Sequence, residues 1–234
     1  QAIQGMRALN IRGLNVTLPH KVAVIPYLDE LDPLAERIGA VNTIVNEDGA
    51  LKGYNTDASG FLRALETEKI KIEGKNIVII GAGGASRAIA FILVDRGANL
   101  TILNRHPESA RELAGWILET FRKKTVALEL NEINLNDTLD KADMMINATS
   151  VGMVPDAEAT PVPSRLLRPG LDVFDIIYNP LRTRLLVDAE KMKARTIGGI
   201  EMLVQQGAAA FELWSGSKAP VEHMREAAIR AMGG

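Results

Sequence analysis

The turn Gly81-Ala82-Gly83-Gly84-Ala85-Ser86 stands directly behind the branched apolar run Ile77-Val78-Ile79-Ile80. Gly81 permits a tight exit from a strand and Gly83 lets backbone N–H groups approach a pyrophosphate. Gly84 onward opens a helix whose positive N-terminal end faces that anion. Ser86 occupies the third small position, where the dinucleotide fingerprint carries Gly or Ala. The next apolar run, Leu100 to Leu103, ends in Asn104-Arg105-His106, where an NAD-selective fold places an acid for the ribose 2′-hydroxyl. Arginine grips a phosphate through two parallel N–H groups and stacks on adenine, so these features together point to NADP as cofactor. The plainer alternative is an ordinary strand-to-helix connection, which a glycine-rich turn also serves.

Two polar clusters lie ahead of that turn. In Asn15-Val16-Thr17-Leu18-Pro19-His20-Lys21 a strand end delivers polar side chains and a lysine to the mouth of a helix. Asn55-Thr56-Asp57 does the same at a second helix start. A lysine in such a place is also ordinary solvated surface, and Thr and Asp are ordinary helix caps. If both clusters face one cleft, Lys21 and Asp57 make an acid/base pair.

The elements that must position these groups divide into two styles. Up to about Lys75 the expected elements are a helical stretch Gln1–Leu9 and a strand Gly13–Leu18. A helix from Pro19-His20 to about Leu31 and a short helix Pro33–Ile38 follow. Val41–Val45 and Leu51–Tyr54 form a hairpin around Asp48-Gly49, and Thr56 or Asp57 caps a helix to about Glu68. From Asn76 strands alternate with helices, which implies a parallel sheet covered on both faces. The strands expected there are 77–80, 100–103, 126–130, 144–147, 173–177 and 196–197. The helices are 85–96, 107–122, 135–141 and 180–194. Segments 201–211 and 220–232 are helical, apolar on one face, and expected to pack back on the first part. The fold class is therefore α/β, a Rossmann-type doubly wound parallel sheet plus a smaller α/β domain completed by the C-terminal helices. The expected division is residues 1–73 for substrate and catalysis, 74–200 for NADP, and 201–234 for the closing helices.

Composition narrows the partners. With 234 residues, 47% of them hydrophobic, the chain can bury real cores, and a formal charge of −2 provides no basic footprint for nucleic acid or anionic lipid. The longest apolar stretch is broken by glycines, Ser86 and Arg87, so no membrane span is expected. With no cysteine there are no disulfides, thiolate sites or cysteine nucleophiles, which is compatible with the cytoplasm. The three histidines, His20, His106 and His223, are too far apart in sequence to suggest a zinc cluster, so no metal is expected.

Six strings in order, Asn15 to Lys21, Ala40-Val41-Asn42-Thr43, Gly53-Tyr54-Asn55-Thr56-Asp57, Gly81 to Ser86, Asn147-Ala148-Thr149-Ser150-Val151-Gly152 and Gly199 to Gln206, resemble the shikimate dehydrogenase family over nearly the whole chain. The resemblance implies NADP-dependent interconversion of shikimate and 3-dehydroshikimate in aromatic amino-acid biosynthesis. It makes Lys21 the acid/base residue and places Thr17, Asn42, Asp57, Tyr178 and Gln206 around the substrate. It further implies cofactor contacts from Gly81, Ala82, Gly83, Gly84, Ala85, Ser86, Asn104, Arg105 and His106. Thr149, Ser150 and Gly152 would lie near the ribose and nicotinamide, with Gly199 and Met202 bordering the nicotinamide itself. Plainer readings stand beside these: Asn42 belonging to its hairpin, Gln206 on a solvated helix face, Tyr178 and Met202 in the core.

In the same family a Thr often follows the Asn-Arg pair, and here His106 takes its place. Family chains also generally begin earlier, with a Ser-x-Ser strand that binds the substrate carboxylate. None is found here, so the amino-terminal segment is expected to be missing. The competing readings are a quinate/shikimate dehydrogenase with broader cofactor use and a non-catalytic dinucleotide-binding sensor. The oligomeric state is left open, a homodimer included.

Overall fold

The computed structural model describes residues 1–17 and 19–233; Leu18, at the end of the expected first strand, lies outside the described residues. Helix α1 (Ala2–Ala8) precedes β1 (Gly13–Asn15), and a 3-10 turn at Ile25–Tyr27 leads to β2 (Glu30–Leu31). The helix expected from His20 to Leu31 does not form. Pro26 lacks a backbone donor, and the β-branched Val22, Val24 and Ile25 crowd a helical turn, so the chain makes turns instead. Next come α2 (Pro33–Ile38), β3 (Thr43–Glu47), β4 (Ala50–Tyr54) and α3 (Thr56–Thr67). The β3–β4 hairpin closes through Asp48 and Gly49, both at positive φ (53° and 97°), as a two-residue turn of this hand requires. The small sheet runs β1-β3-β4-β2, with only the β4–β2 pair parallel.

The larger sheet is built from β5 (Asn76–Ile80), β6 (Asn99–Asn104), β7 (Val126–Glu129), β8 (Met144–Asn147), β9 (Asp172–Asp175) and β10 (Arg195–Ile197). Helices α4 (Gly84–Asp95), α5 (Pro107–Phe121), α6 (Glu132–Leu139) and α7 (Arg184–Lys191) connect or cover these strands. All neighbours are parallel in the order β10-β9-β8-β5-β6-β7, so strand order reverses at β5 and opens a crevice beyond its carboxyl end. Along β5 the side chains alternate between two apolar layers: Ile77 and Ile79 enter one, Val78 and Ile80 the other. This explains why the strand reads as an unbroken apolar run.

The first of those layers also takes in Ile38, Ala58, Phe61 and Leu65, and the Phe61 ring meets Phe174 of β9 at 5.2 Å between centroids. Helices α8 (Gly199–Ser215) and α9 (Val221–Ala231) close the chain. α8 lies so close to α3 that a Cβ at Gly60 would stand 2.7 Å from the Gln206 backbone nitrogen. No helix among the described residues is long and apolar enough to cross a membrane.

Candidate active site

The lysine and the aspartate do face one another. Lys21 Nζ lies 2.6 Å from Asp57 Oδ2, and the two side chains are only 13% and 9% exposed. Each end of the pair is anchored by backbone. The Lys21 carbonyl accepts the Val41 N–H at 2.8 Å. Asp57 sits in the first turn of α3, where the helix dipole favours its charge. The cap of that helix is Asn55, not Thr56 or Asp57 as expected: its Oδ1 accepts from the Ala58 N–H at 3.1 Å. Asn outranks Thr as a cap, and its Nδ2 is used as well, donating to the Ala40 carbonyl at 2.9 Å.

Asn42 organises the space between these groups. Its Nδ2 donates to Asp57 Oδ1 and to Thr56 Oγ1, both at 3.0 Å, with Gln206 Oε1 at 3.5 Å. Its Oδ1 accepts from the Thr56 N–H at 2.7 Å and from Thr43 Oγ1 at 3.1 Å. Buried polar atoms without partners cost about 1 to 3 kcal/mol each, so this mutual satisfaction makes the cluster rigid. Nζ of Lys21 makes no other hydrogen bond among the described residues, leaving donor positions for a substrate oxygen.

Of the remaining substrate-side candidates, Gln206 reaches the cluster through Asn42 and also donates to the Leu203 carbonyl at 3.1 Å. Thr17 is exposed, and its carbonyl accepts from the His20 N–H. Tyr178 is 39% exposed beyond β9. Neither side chain joins the Lys21 cluster. A hollow of about 330 Å³ lined by Tyr54, Asn55, Ser59, Arg63 and Glu212 contains neither Lys21 nor Asp57 and is not this site.

The opposite wall is made of backbone. Gly81 has φ 112°, and a Cβ there would stand 2.8 Å from the Ala148 carbonyl oxygen, so the position excludes a side chain twice over. Gly83 is the N-cap of α4 and supplies no side-chain cap, and open space lies where its Cβ would be. The first N–H groups of α4, from Gly84, Ala85 and Ser86, therefore point outward without intrahelical acceptors. Ala82 and Ala85 are half-buried beside them. Ser86 is fully buried and its hydroxyl finds no partner among the described residues.

Beyond β6, Asn104 Nδ2 donates to the His106 carbonyl at 2.9 Å, while Arg105 is exposed and makes no ion pair among the described residues. His106 caps α5 without a side-chain bond, its Nδ1 3.7 Å from Glu108 Oε1. Gly199, first residue of α8, is pressed against the Ile176 and Ile177 carbonyls. Met202 is 6% exposed within the main apolar layer.

Sequence reasoning missed one organiser of this wall. Asn147, at the end of β8, is fully buried; its Oδ1 holds the Thr149 N–H (3.1 Å) and hydroxyl (2.7 Å), and its Nδ2 donates to the Val151 carbonyl and to Asp175 Oδ1. Asp175 also accepts from the Ile177 N–H and from Thr183 Oγ1. Burial pushes the Asp175 carboxyl up to about 6, against the lowering effect of those three donors. The loop bearing Thr149 and exposed Ser150 and the loop leading to Tyr178 thus hang from one buried pair. An amide ending an otherwise apolar strand was the available signal.

These features fit a dinucleotide: a glycine bend, helix N–H groups without a side-chain cap, and an arginine with no ion pair among the described residues. The Gly199 end of α8 touches the rear sheet, and Gln206, about 10 Å along that helix, reaches Asn42, so one helix spans the two walls.

Three family models match the chain: the shikimate dehydrogenase substrate binding domain over residues 1–44, shikimate / quinate 5-dehydrogenase over 64–155, and the shikimate 5'-dehydrogenase C-terminal domain over 199–229. A shikimate dehydrogenase (NADP(+)) of Dehalococcoides mccartyi (strain CBDB1) is 52% identical over 98% of this chain and 80% of its own length. A crystal structure of a shikimate dehydrogenase in complex with NADP+ superposes with TM-score 0.93 at 46% identity, covering 98% of this chain and 80% of the other. The Thermus thermophilus shikimate 5-dehydrogenase, in complex with NADP(H) and shikimate, gives TM-score 0.86 at 39% identity over 98% and 82%.

Proposed function

The chain belongs to the shikimate dehydrogenase family and is an NADP-dependent oxidoreductase interconverting shikimate and 3-dehydroshikimate in aromatic amino-acid biosynthesis; on that premise we propose how its residues divide the work. Lys21 is the acid/base residue: in the oxidative direction its amine takes the proton from the substrate hydroxyl that becomes the carbonyl, and in reverse its ammonium returns it. NADP, when bound, supplies the hydride acceptor at its nicotinamide ring. Asp57 orients Lys21 and holds a substrate hydroxyl, since a carboxylate 2.6 Å away also stabilises the ammonium. Asn42, Gln206, Thr17 and Tyr178 complete the polyol site with donors and acceptors suited to ring hydroxyls.

On the cofactor side, the Gly81–Ser86 bend and the start of α4 take the pyrophosphate, and Arg105 with Asn104 and His106 takes the adenosine 2′-phosphate. Thr149, Ser150, Gly199 and Met202 border the ribose and nicotinamide. The division of labour corresponds to residues 1–73 for substrate, 74–200 for cofactor and 201–234 for the closing helices. A cytoplasmic location and a homodimer belong to the same proposal; light scattering at twice 25.4 kDa tests the dimer.

The observation that carries the assignment is the shielded Lys21–Asp57–Asn42 cluster. The test follows NADPH formation with shikimate and with quinate, each with NADP and NAD, using Lys21→Ala as control. Turnover preferring shikimate with NADP, nearly abolished by the substitution, is expected. Full turnover in the variant removes the role of Lys21, and cofactor binding without any turnover in the unsubstituted chain selects a sensor instead.

A further inference from the structure

Residues 38–42 gather the ties that hold the acid/base cluster in register. Val41 holds the Lys21 carbonyl, Asn42 holds Asp57, and the Ala40 carbonyl receives Asn55, the cap of the helix bearing Asp57. A fourth tie comes from the other wall. Arg87, on α4 next to Ser86, donates through Nε to the carbonyl of Ile38. Ile38 is the last residue of α2, and Gly39 follows in the left-handed region at φ 71°, with its N–H donating to the Ala35 and Glu36 carbonyls. The Ile38 carbonyl is thus one of the helix-end acceptors left over, and Arg87 takes it.

The arginine is specialised for this place. Its guanidinium is half-buried, lies 4.2 Å from the centroid of the Trp116 ring, and pairs with no carboxylate among the described residues. Burial lowers its pKa, and the face of the Trp116 ring and the Ile38 carbonyl are what the charge meets there. A second arginine interlocks from the opposite side: Arg37 of α2 lies over Phe91 at 4.8 Å and Phe121 at 5.6 Å, and Phe91 packs on both Phe121 and Trp116.

We propose that Arg87 is a positioning residue: from the helix that receives the pyrophosphate it pins residues 38–42, and so sets where Lys21, Asn42 and Asp57 stand relative to the glycine bend. The inference rests on the substrate-side assignment above. It carries an unusual asymmetry, because a residue on the cofactor helix governs the substrate side.

The test is calorimetric titration of cofactor-free protein with shikimate and of shikimate-free protein with NADP, alongside kcat, KM and melting temperature. Arg87→Met, which removes donor and charge, is expected to weaken shikimate binding about fivefold and lower kcat about tenfold, with NADP affinity within about twofold. Arg87→Lys, which keeps a donor but not the planar stack, is expected to recover part of both losses. Trp116→Leu removes the platform, and with it a ring contact to Phe91, while leaving Arg87 its donor, and serves if Arg87→Met does not fold; it is expected to weaken shikimate about threefold. Unchanged shikimate affinity and kcat with a lowered melting temperature reduce Arg87 to a structural role and overturn the proposal. The reverse asymmetry, NADP weakened and shikimate untouched, makes it a cofactor contact and overturns it as well. Should the unsubstituted chain bind no shikimate, the site assignment falls and the role of Arg87 with it, a result seen before any substitution is made.

Discussion

The two walls of the crevice are made of different material. The front wall is side chains that satisfy one another: Lys21 on Asp57, Asp57 on Asn42, Asn42 on Thr56 and Thr43. The rear wall offers backbone N–H groups that nothing among the described residues satisfies, held by glycines and backed by the buried Asn147–Asp175 pair. A wall satisfied everywhere but at Lys21 Nζ suits proton transfer at that one atom, since a pre-satisfied network need not reorganise when charge moves. An unsaturated wall suits an anion, which brings its own acceptors.

If the walls are separable, Lys21→Ala abolishes the chemistry without touching the cofactor. The expected result is a fall in kcat of about a thousandfold with NADP affinity within about twofold, read by steady-state kinetics and titration. A parallel loss of NADP affinity breaks the comparison.

Asp175 tests the rear wall alone. With its carboxyl at about 6, the native chain holds a proton that the unfolded chain has lost near 3.8, so between those values the native state binds more protons. Stability from this group is complete below pH 3.8 and is lost as pH rises through 6, a decline of roughly 3 kcal/mol at 1.36 kcal/mol per unit. Urea denaturation across that window should show the decline in the wild type and its absence in Asp175→Asn. Identical pH profiles would mean that burial of Asp175 does not govern its ionisation.

Arg105 is the side chain proposed to carry the rear wall's selectivity. Arg105→Ala is expected to raise KM for NADP about 10- to 100-fold while that for NAD moves within about twofold, because a charge-assisted bond to phosphate contributes about 1.5 to 3 kcal/mol. Equal losses with both cofactors would assign Arg105 to adenine stacking. The smallest effect sharpens the meaning of the third small position. Ser86 is buried with an unpartnered hydroxyl, so Ser86→Ala should leave NADP affinity unchanged and raise stability by up to about 1 kcal/mol in thermal unfolding. Weakened NADP binding would place that hydroxyl on the phosphate instead.

The rear wall was far more legible in the sequence than the front. Ile77 to Ser86 is one contiguous strand–turn–helix, and both the positive φ of Gly81 and the exposed start of α4 follow from residue types that are neighbours in the chain. Local competition accounts for the misread elements: Pro26 ends a helical pattern that extends from His20, and Asn55 wins the cap from Thr56 and Asp57. For Asn42 the residues alone left a hairpin role beside the substrate role that the resemblance implied, because its partners are remote. Asp57 is 15 positions away and Gln206 is 164.

From the amino-acid sequence alone came the alternation that demands a doubly wound sheet, the glycine bend and the absence of an acid after β6, each a property of a short stretch of backbone or of one residue beside it. Tertiary structure alone decided that Lys21 and Asp57 are a shielded pair, that Asn42 joins them, and that Arg87 ties their segment to the opposite wall. The physical reason is range: conformational preference acts over a few residues, whereas a side-chain network exists only after packing has brought distant segments within hydrogen-bond reach and removed the water between them.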